Sequence, residues 1–117
     1  MNSFKTYFSL FAFTLLFSVA VNAQKNDPIT LKFEVSGICE MCKERIEKAL
    51  DTKGIRFANW DVETGELEVV YKPNKISEEE IHQRIADVGH DTEKVTASDE
   101  AYDSVHHCCK YREDTKH

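Results

Sequence analysis

At 117 residues the chain has room for one domain with its own core, not two. Twenty-one acidic residues against fifteen basic ones give a formal charge of −6. That balance argues against nucleic acid and anionic lipid as partners and suits a cationic metal or a basic protein face, although it would equally keep a small exported protein soluble.

Residues 1–23 form a three-part pattern. Met1 to Ser9 carries one cation, Lys5, and no acid. Leu10 to Val21 is an almost unbroken apolar run, and Val21-Asn22-Ala23 places small residues where a signal peptidase reads. This is the layout of a secretory signal peptide, and the run is shorter than the roughly 18 apolar residues that a spanning helix needs. Cleavage after Ala23 is expected, giving an exported, periplasmic protein with no membrane insertion once the leader is gone. No cysteine follows the cleavage point, so a lipid anchor is not indicated.

After a short lead at residues 24–28, Ile29 to Val35 alternates apolar and polar residues, the mark of a half-buried strand. A loop with Gly37 leads to a helix expected from about Cys42 to Asp51, with Ile46, Ala49 and Leu50 inward and Gly54 after its end. Ile55 to Val62 reads as a second strand with Ala58, Trp60 and Val62 on one face. The Glu63–Glu66 turn closes a hairpin onto a third strand carrying Leu67, Val69 and Tyr71. Ser77 and Glu80 make a capping box, and Ile76 and Ile81 a hydrophobic staple, at the start of a second helix with Ile81, Ile85 and Val88 inward and Gly89 as its stop. Thr92 to Val95 is expected as a short last strand. The order strand, helix, strand, strand, helix, strand predicts an α+β, ferredoxin-like βαββαβ sandwich, with a four-stranded antiparallel sheet and two helices on one face. The expected core comprises Phe33, Val35, Ile46, Leu50, Trp60, Leu67, Val69, Ile81 and Ile85.

All four cysteines, Cys39, Cys42, Cys108 and Cys109, follow the leader. An even count in an exported chain raises disulfides first, but one CxxC and one adjacent pair do not form a dispersed disulfide framework, and a bridge between neighbours is strained. Cys39 and Cys42 fall where a strand ends and a helix begins. Residues three apart in a helical turn face the same side, and the helix N-terminus favours thiolate over thiol. Thiolates are soft ligands that select Cu(I) or zinc over magnesium or calcium, and two of them in an exposed loop suit the low coordination number of Cu(I) better than the four ligands of zinc. The rivals are a redox dithiol and a structural disulfide. The chain lacks a Trp-Cys-Gly-Pro-Cys pattern, and neither Pro28 nor Pro73 precedes a late strand, so a thioredoxin-type site is disfavoured.

Residues 29–95 resemble the heavy-metal-associated domain of copper chaperones, copper-ATPase N-terminal modules and periplasmic mercury-binding proteins. The resemblance rests on Gly37 with Cys39-x-x-Cys42, on Ile46 to Leu50, Gly54-Ile55, Trp60 to Leu67, Val69, Tyr71 and Val88-Gly89-His90-Asp91. It implies a ferredoxin-like fold and a metal held by Cys39 and Cys42. The chain departs from the family's Gly-Met-x-Cys-x-x-Cys: Gly37-Ile38-Cys39 is one residue shorter, and Ile38 replaces the methionine. Met41, between the cysteines, is either a weak thioether ligand or a core anchor, and the position at a helix start favours the anchor. His90 stands in a loop that lies near the metal loop in the family, and is either a third ligand or an exposed turn residue.

From Thr96 to His117 the composition turns polar and charged, and a short helix or a flexible tail fits equally well. Within it His106-His107-Cys108-Cys109 is a run of soft and borderline ligands, either a second site, a contribution to the first, or an end whose cysteines oxidise. Lys110, Tyr111 and Arg112 read as anchors. Taken together, the sequence predicts a binding module and not an enzyme: a carrier or buffer for Cu(I), with Zn(II) or Hg(II) as other cargoes, handing metal to a transporter or another metalloprotein by thiolate exchange. Thiol-disulfide oxidoreduction through the same CxxC is the alternative.

Overall fold

The structure is a computed structural model that describes residues 27–113; the expected leader at residues 1–23 lies outside the described residues. Three strands, β1 (Ile29–Glu34), β2 (Ile55–Trp60) and β3 (Glu66–Tyr71), form an antiparallel sheet in the order β1-β3-β2. Helix α1 (Glu40–Ala49) follows β1, and α2 (Glu78–Asp87) follows β3. The registers Phe33 opposite Leu67 and Trp60 opposite Leu67 bring the apolar residues of all three strands onto one face. Ile46 and Leu50 from the α1 segment and Ile81 and Ile85 from α2 bury against that face. Phe33, Val35, Ile46, Leu50, Trp60, Leu67, Val69, Ile81 and Ile85 are all buried, as expected.

Local chemistry sets the element ends. Ser77 caps α2 by accepting from the Glu80 amide at 3.1 Å, and Ile76 and Ile81 are both buried beside it. β2 stops at Trp60, two residues earlier than the alternation predicts. The Asp61 carboxylate accepts from the Glu63 and Thr64 amides, and the Asp61 carbonyl from Gly65, so the turn begins at Asp61.

The fourth strand is a correction. Thr92 to Val95 forms no strand; only an isolated antiparallel bridge, Val35 to Thr92, stands in its place. The segment satisfies its own backbone instead. The Thr92 amide donates to the Val95 carbonyl at 2.8 Å, and the Thr92 hydroxyl accepts from the amides of Lys94 and Val95. A threonine side chain offering the backbone a local partner competes with the ladder, and here it wins.

The segment after residue 96 is folded through Glu113. A short helix α3 (Asp99–Asp103), capped by Ser98, is followed by two 3-10 turns, His107–Cys109 and Tyr111–Glu113. Tyr102, Val105, Cys109 and Tyr111 are buried within the main core. Gly89 makes this docking compatible with the end of α2: at φ +101°, a Cβ there would lie 2.5 Å from Val105 Cγ1 and 2.6 Å from the Ala101 carbonyl oxygen. Gly89→Ala combines a left-handed backbone with a clash against main chain. It is expected to cost about 1–3 kcal/mol and to expose the segment beyond residue 96 to protease. Limited proteolysis alongside urea unfolding checks both effects.

Candidate metal centre

Helix α1 begins with Cys39 as its N-cap residue, in extended backbone and with no side-chain capping bond, so its thiol is left for other partners. Cys42 lies one turn on, and its Sγ is 3.4 Å from that of Cys39. Gly37 lets the loop before them lie flat on the core: a Cβ there would meet the Trp60 ring at 2.8 Å and the Cys42 Cβ at 3.1 Å. Cys42 is buried, whereas Cys39 is only partly so.

The other two cysteines reach the same place from the end of the chain. Cys39 Sγ is 3.0 Å from Cys109 Sγ and 3.6 Å from Cys108 Sγ. Cys39, Cys108 and Cys109 form a group whose sulfurs all lie within 4.8 Å of one another. All four cysteines are free thiols. Burial works to raise the Cys39 thiol, but hydrogen bonds from Cys109, from the Cys42 backbone and from the Cys42 and Cys108 thiols outweigh it, and its pKa falls below the ordinary value. Burial raises Cys42, Cys108 and, most strongly, Cys109. Cys39 is therefore the most readily ionised thiol of the cluster, with the thiols of the other three cysteines close beside it.

The remaining candidates lie elsewhere. Met41 is no core anchor: it is 44% exposed, because its position in the first turn of α1 faces outward, and its thioether lies 3.3 Å from Cys108 Sγ. His90 is fully buried, with Nδ1 2.8 Å from the Ser36 carbonyl oxygen and its ring stacked on Tyr111. It braces the loop leading to the cysteines from behind and is not among the grouped ligand atoms. His106 and His107 are exposed, their rings 4.3 Å apart, and they too stand outside that group. The His106 Nδ1 accepts from the Cys108 amide, which helps to shape the turn.

The buried histidines give a pH dependence. Burial first of all holds both His82 and His90 below the ordinary value of 6.5. The unfolded chain thus takes up protons near pH 6.5 that the folded chain refuses, so their contribution is complete above that pH and is lost as pH falls toward the lower folded values. The urea midpoint of the metal-free protein is expected to drop between about pH 7 and pH 5, and His90→Asn to flatten that drop.

Residues 32–91 match the sequence profile of the heavy-metal-associated domain, half of the chain. The chain belongs to the heavy-metal-associated domain family. Among its relatives is the copper-transporting ATPase HMA5 of Oryza sativa subsp. japonica, 40% identical over 74 residues, which make up 62% of this chain and 7% of the ATPase. A zinc-transporting ATPase of Synechocystis sp. is 41% identical over 63 residues, covering 52% of this chain and 9% of that protein. The chain thus spans less than a tenth of the length of either transporter. Among solved structures, the CopZ metallochaperone superposes with a TM-score of 0.53 at 29% identity, covering 55% of this chain and 98% of the chaperone. The ferredoxin-like, soft-metal-binding character of the domain follows from these matches together with the thiol cluster.

Proposed function

We propose that this protein is an exported carrier or buffer for Cu(I), not an enzyme, which takes the ion on Cys39 and Cys42 and passes it to a transporter or another metalloprotein by exchanging thiolates one at a time. The observation that carries this reading is the Cys39–Cys42 pair at the N-terminus of α1, with Cys39 at a partly exposed position and its pKa lowered by the thiols around it. A soft anionic sulfur that a partner's thiolate can reach is what ligand exchange requires. The copper-named relatives support the cargo, and the leader pattern at residues 1–23 supports export. Among the described residues no helix is long and apolar enough to cross a membrane.

Anaerobic titration of the reduced protein with Cu(I) against a chromophoric chelator tests the cargo. One tightly held Cu(I) per chain is expected. Retention of Zn(II) in preference to Cu(I) would overturn the copper assignment and turn the reading toward the zinc-transporting relative. Mass measurement of the protein recovered from cells tests export: the chain is expected to begin at Gln24, and an intact Met1 would refute cleavage.

A further inference from the structure

The segment beyond residue 96 is held in place by a dense set of polar contacts, and what it delivers is two sulfurs. The Tyr111 hydroxyl donates to the Gly89 carbonyl at 2.6 Å and accepts from the Asp91 amide at 3.0 Å. The Arg112 guanidinium bonds Asp91, Asp99 and the Ala97 carbonyl, and it covers the Tyr102 ring. From the other side Arg45 of α1 ties the Val88 carbonyl and the Ser104 hydroxyl together. The Cys109 amide closes the 3-10 turn on the His106 carbonyl at 2.7 Å, which turns both adjacent cysteines onto the N-terminus of α1.

Four sulfurs from segments some seventy positions apart then meet around one atom. Cys39 Sγ lies 3.0 to 3.6 Å from the other three. Sulfurs bound to a single ion at about 2.3 Å in tetrahedral geometry stand roughly 3.8 Å apart. Cys39, Cys108 and Cys109 already lie within 4.8 Å of one another, so small shifts would admit an ion among these three, and Cys42, outside that group, would join from beside Cys39. A cysteine serving only as a small core residue would need neither this convergence nor a neighbouring thiol. The Met41 thioether beside Cys108 adds a fifth sulfur on the solvent side.

We infer that the C-terminal segment is part of the metal site: Cys109, with Cys108 beside it, closes over Cys39 and Cys42 and gives the bound ion three or four sulfur ligands. This rests on the soft-metal reading above and adds a consequence to it. An ion on two thiolates is open to attack by a partner's thiolate, whereas an ion under a further pair is shielded. Release then waits on the segment lifting from Gly89 and Asp91, which makes the strap a brake on transfer.

The test counts sulfurs and times release. The chain from Gln24 to His117 is loaded anaerobically with one Cu(I), and the copper–sulfur coordination number is read by X-ray absorption. Three or four sulfurs are expected in the parent chain, two in the Cys108→Ser/Cys109→Ser variant, and three in Cys108→Ser, whose side chain is only partly buried. Two sulfurs in the parent would overturn the inference while leaving the carrier reading intact; a parent that binds no Cu(I) would overturn both. Tyr111→Phe keeps every thiol but removes the bond to Gly89, and it is expected to release Cu(I) to a chelator several-fold faster than the parent. Release at the parent's rate would overturn the role of the strap as a brake.

Discussion

Cys39→Ser is expected to abolish tight Cu(I) binding while leaving the metal-free fold as stable as before, or slightly more so. Cys39 Sγ is the one sulfur in contact with all three others, and the only one of the four whose pKa is lowered. Its replacement removes both the most readily ionised ligand and the centre of the cluster. The loss in affinity should exceed the roughly 10–100-fold that removal of a supporting outer-shell partner typically costs. Stability moves the other way because Cys39 occupies the N-cap position of α1 without making a capping bond. Serine is among the best N-cap residues, and a formed cap is worth about 0.5–2 kcal/mol. Chelator competition for Cu(I) and urea unfolding of the metal-free protein give the two readouts. Unchanged affinity would remove Cys39 from the site. A destabilised metal-free form would show that the thiol cluster, not the helix cap, is what matters at this position.

How much of this could be read from sequence depends on whether the deciding contacts are local. Phe33, Val35, Leu67 and Val69 are legible because strict alternation leaves one face for them, and Ser77 with Glu80 because a cap is a four-residue event. The fourth strand fails for an equally local reason that alternation does not encode: the Thr92 hydroxyl captures the amides of Lys94 and Val95, leaving a single bridge to Val35. Met41 is exposed where an anchor is expected because the helix starts at Glu40, not near Cys42, which places Met41 in the first turn with its side chain outward.

The C-terminal segment is the larger gap. Its apolar residues, Tyr102, Val105, Cys109 and Tyr111, recur every two to four positions, a signal diluted by the charges between them. What orders them is remote: the absent side chain of Gly89, the Gly89 carbonyl that takes the Tyr111 proton, and the Asp91 carboxylate that pairs with Arg112. His90 shows the same limit. Its place in a loop near the cysteines was readable, but its burial depends on Tyr111, twenty-one positions on, stacking against it.

Trp60→Ala is expected to be the most destabilising single substitution, at about 3–5 kcal/mol. The indole is fully buried at the end of β2, and its Nε1 donates to the carbonyls of Val35 and Gly65 at 3.1 and 3.0 Å. Truncation therefore opens a cavity and removes a donor that two buried carbonyls share. The damage should reach the metal loop as well, since the Trp60 ring is the surface on which Gly37 lies and Gly37 in turn sits against Cys42. Loss of that support frees the loop carrying Cys39, so Cu(I) affinity should fall along with stability even in conditions where the variant stays folded. Trp60→Phe separates the causes: it keeps most of the ring volume but not the indole donor, and is expected to recover most of the affinity and only part of the stability. Because Trp60 is the chain's single tryptophan, fluorescence quenching provides an independent check on the parent protein. The folded parent should resist quenching by iodide, and free access of iodide to the indole would contradict both its place in the core and its role beneath the metal loop.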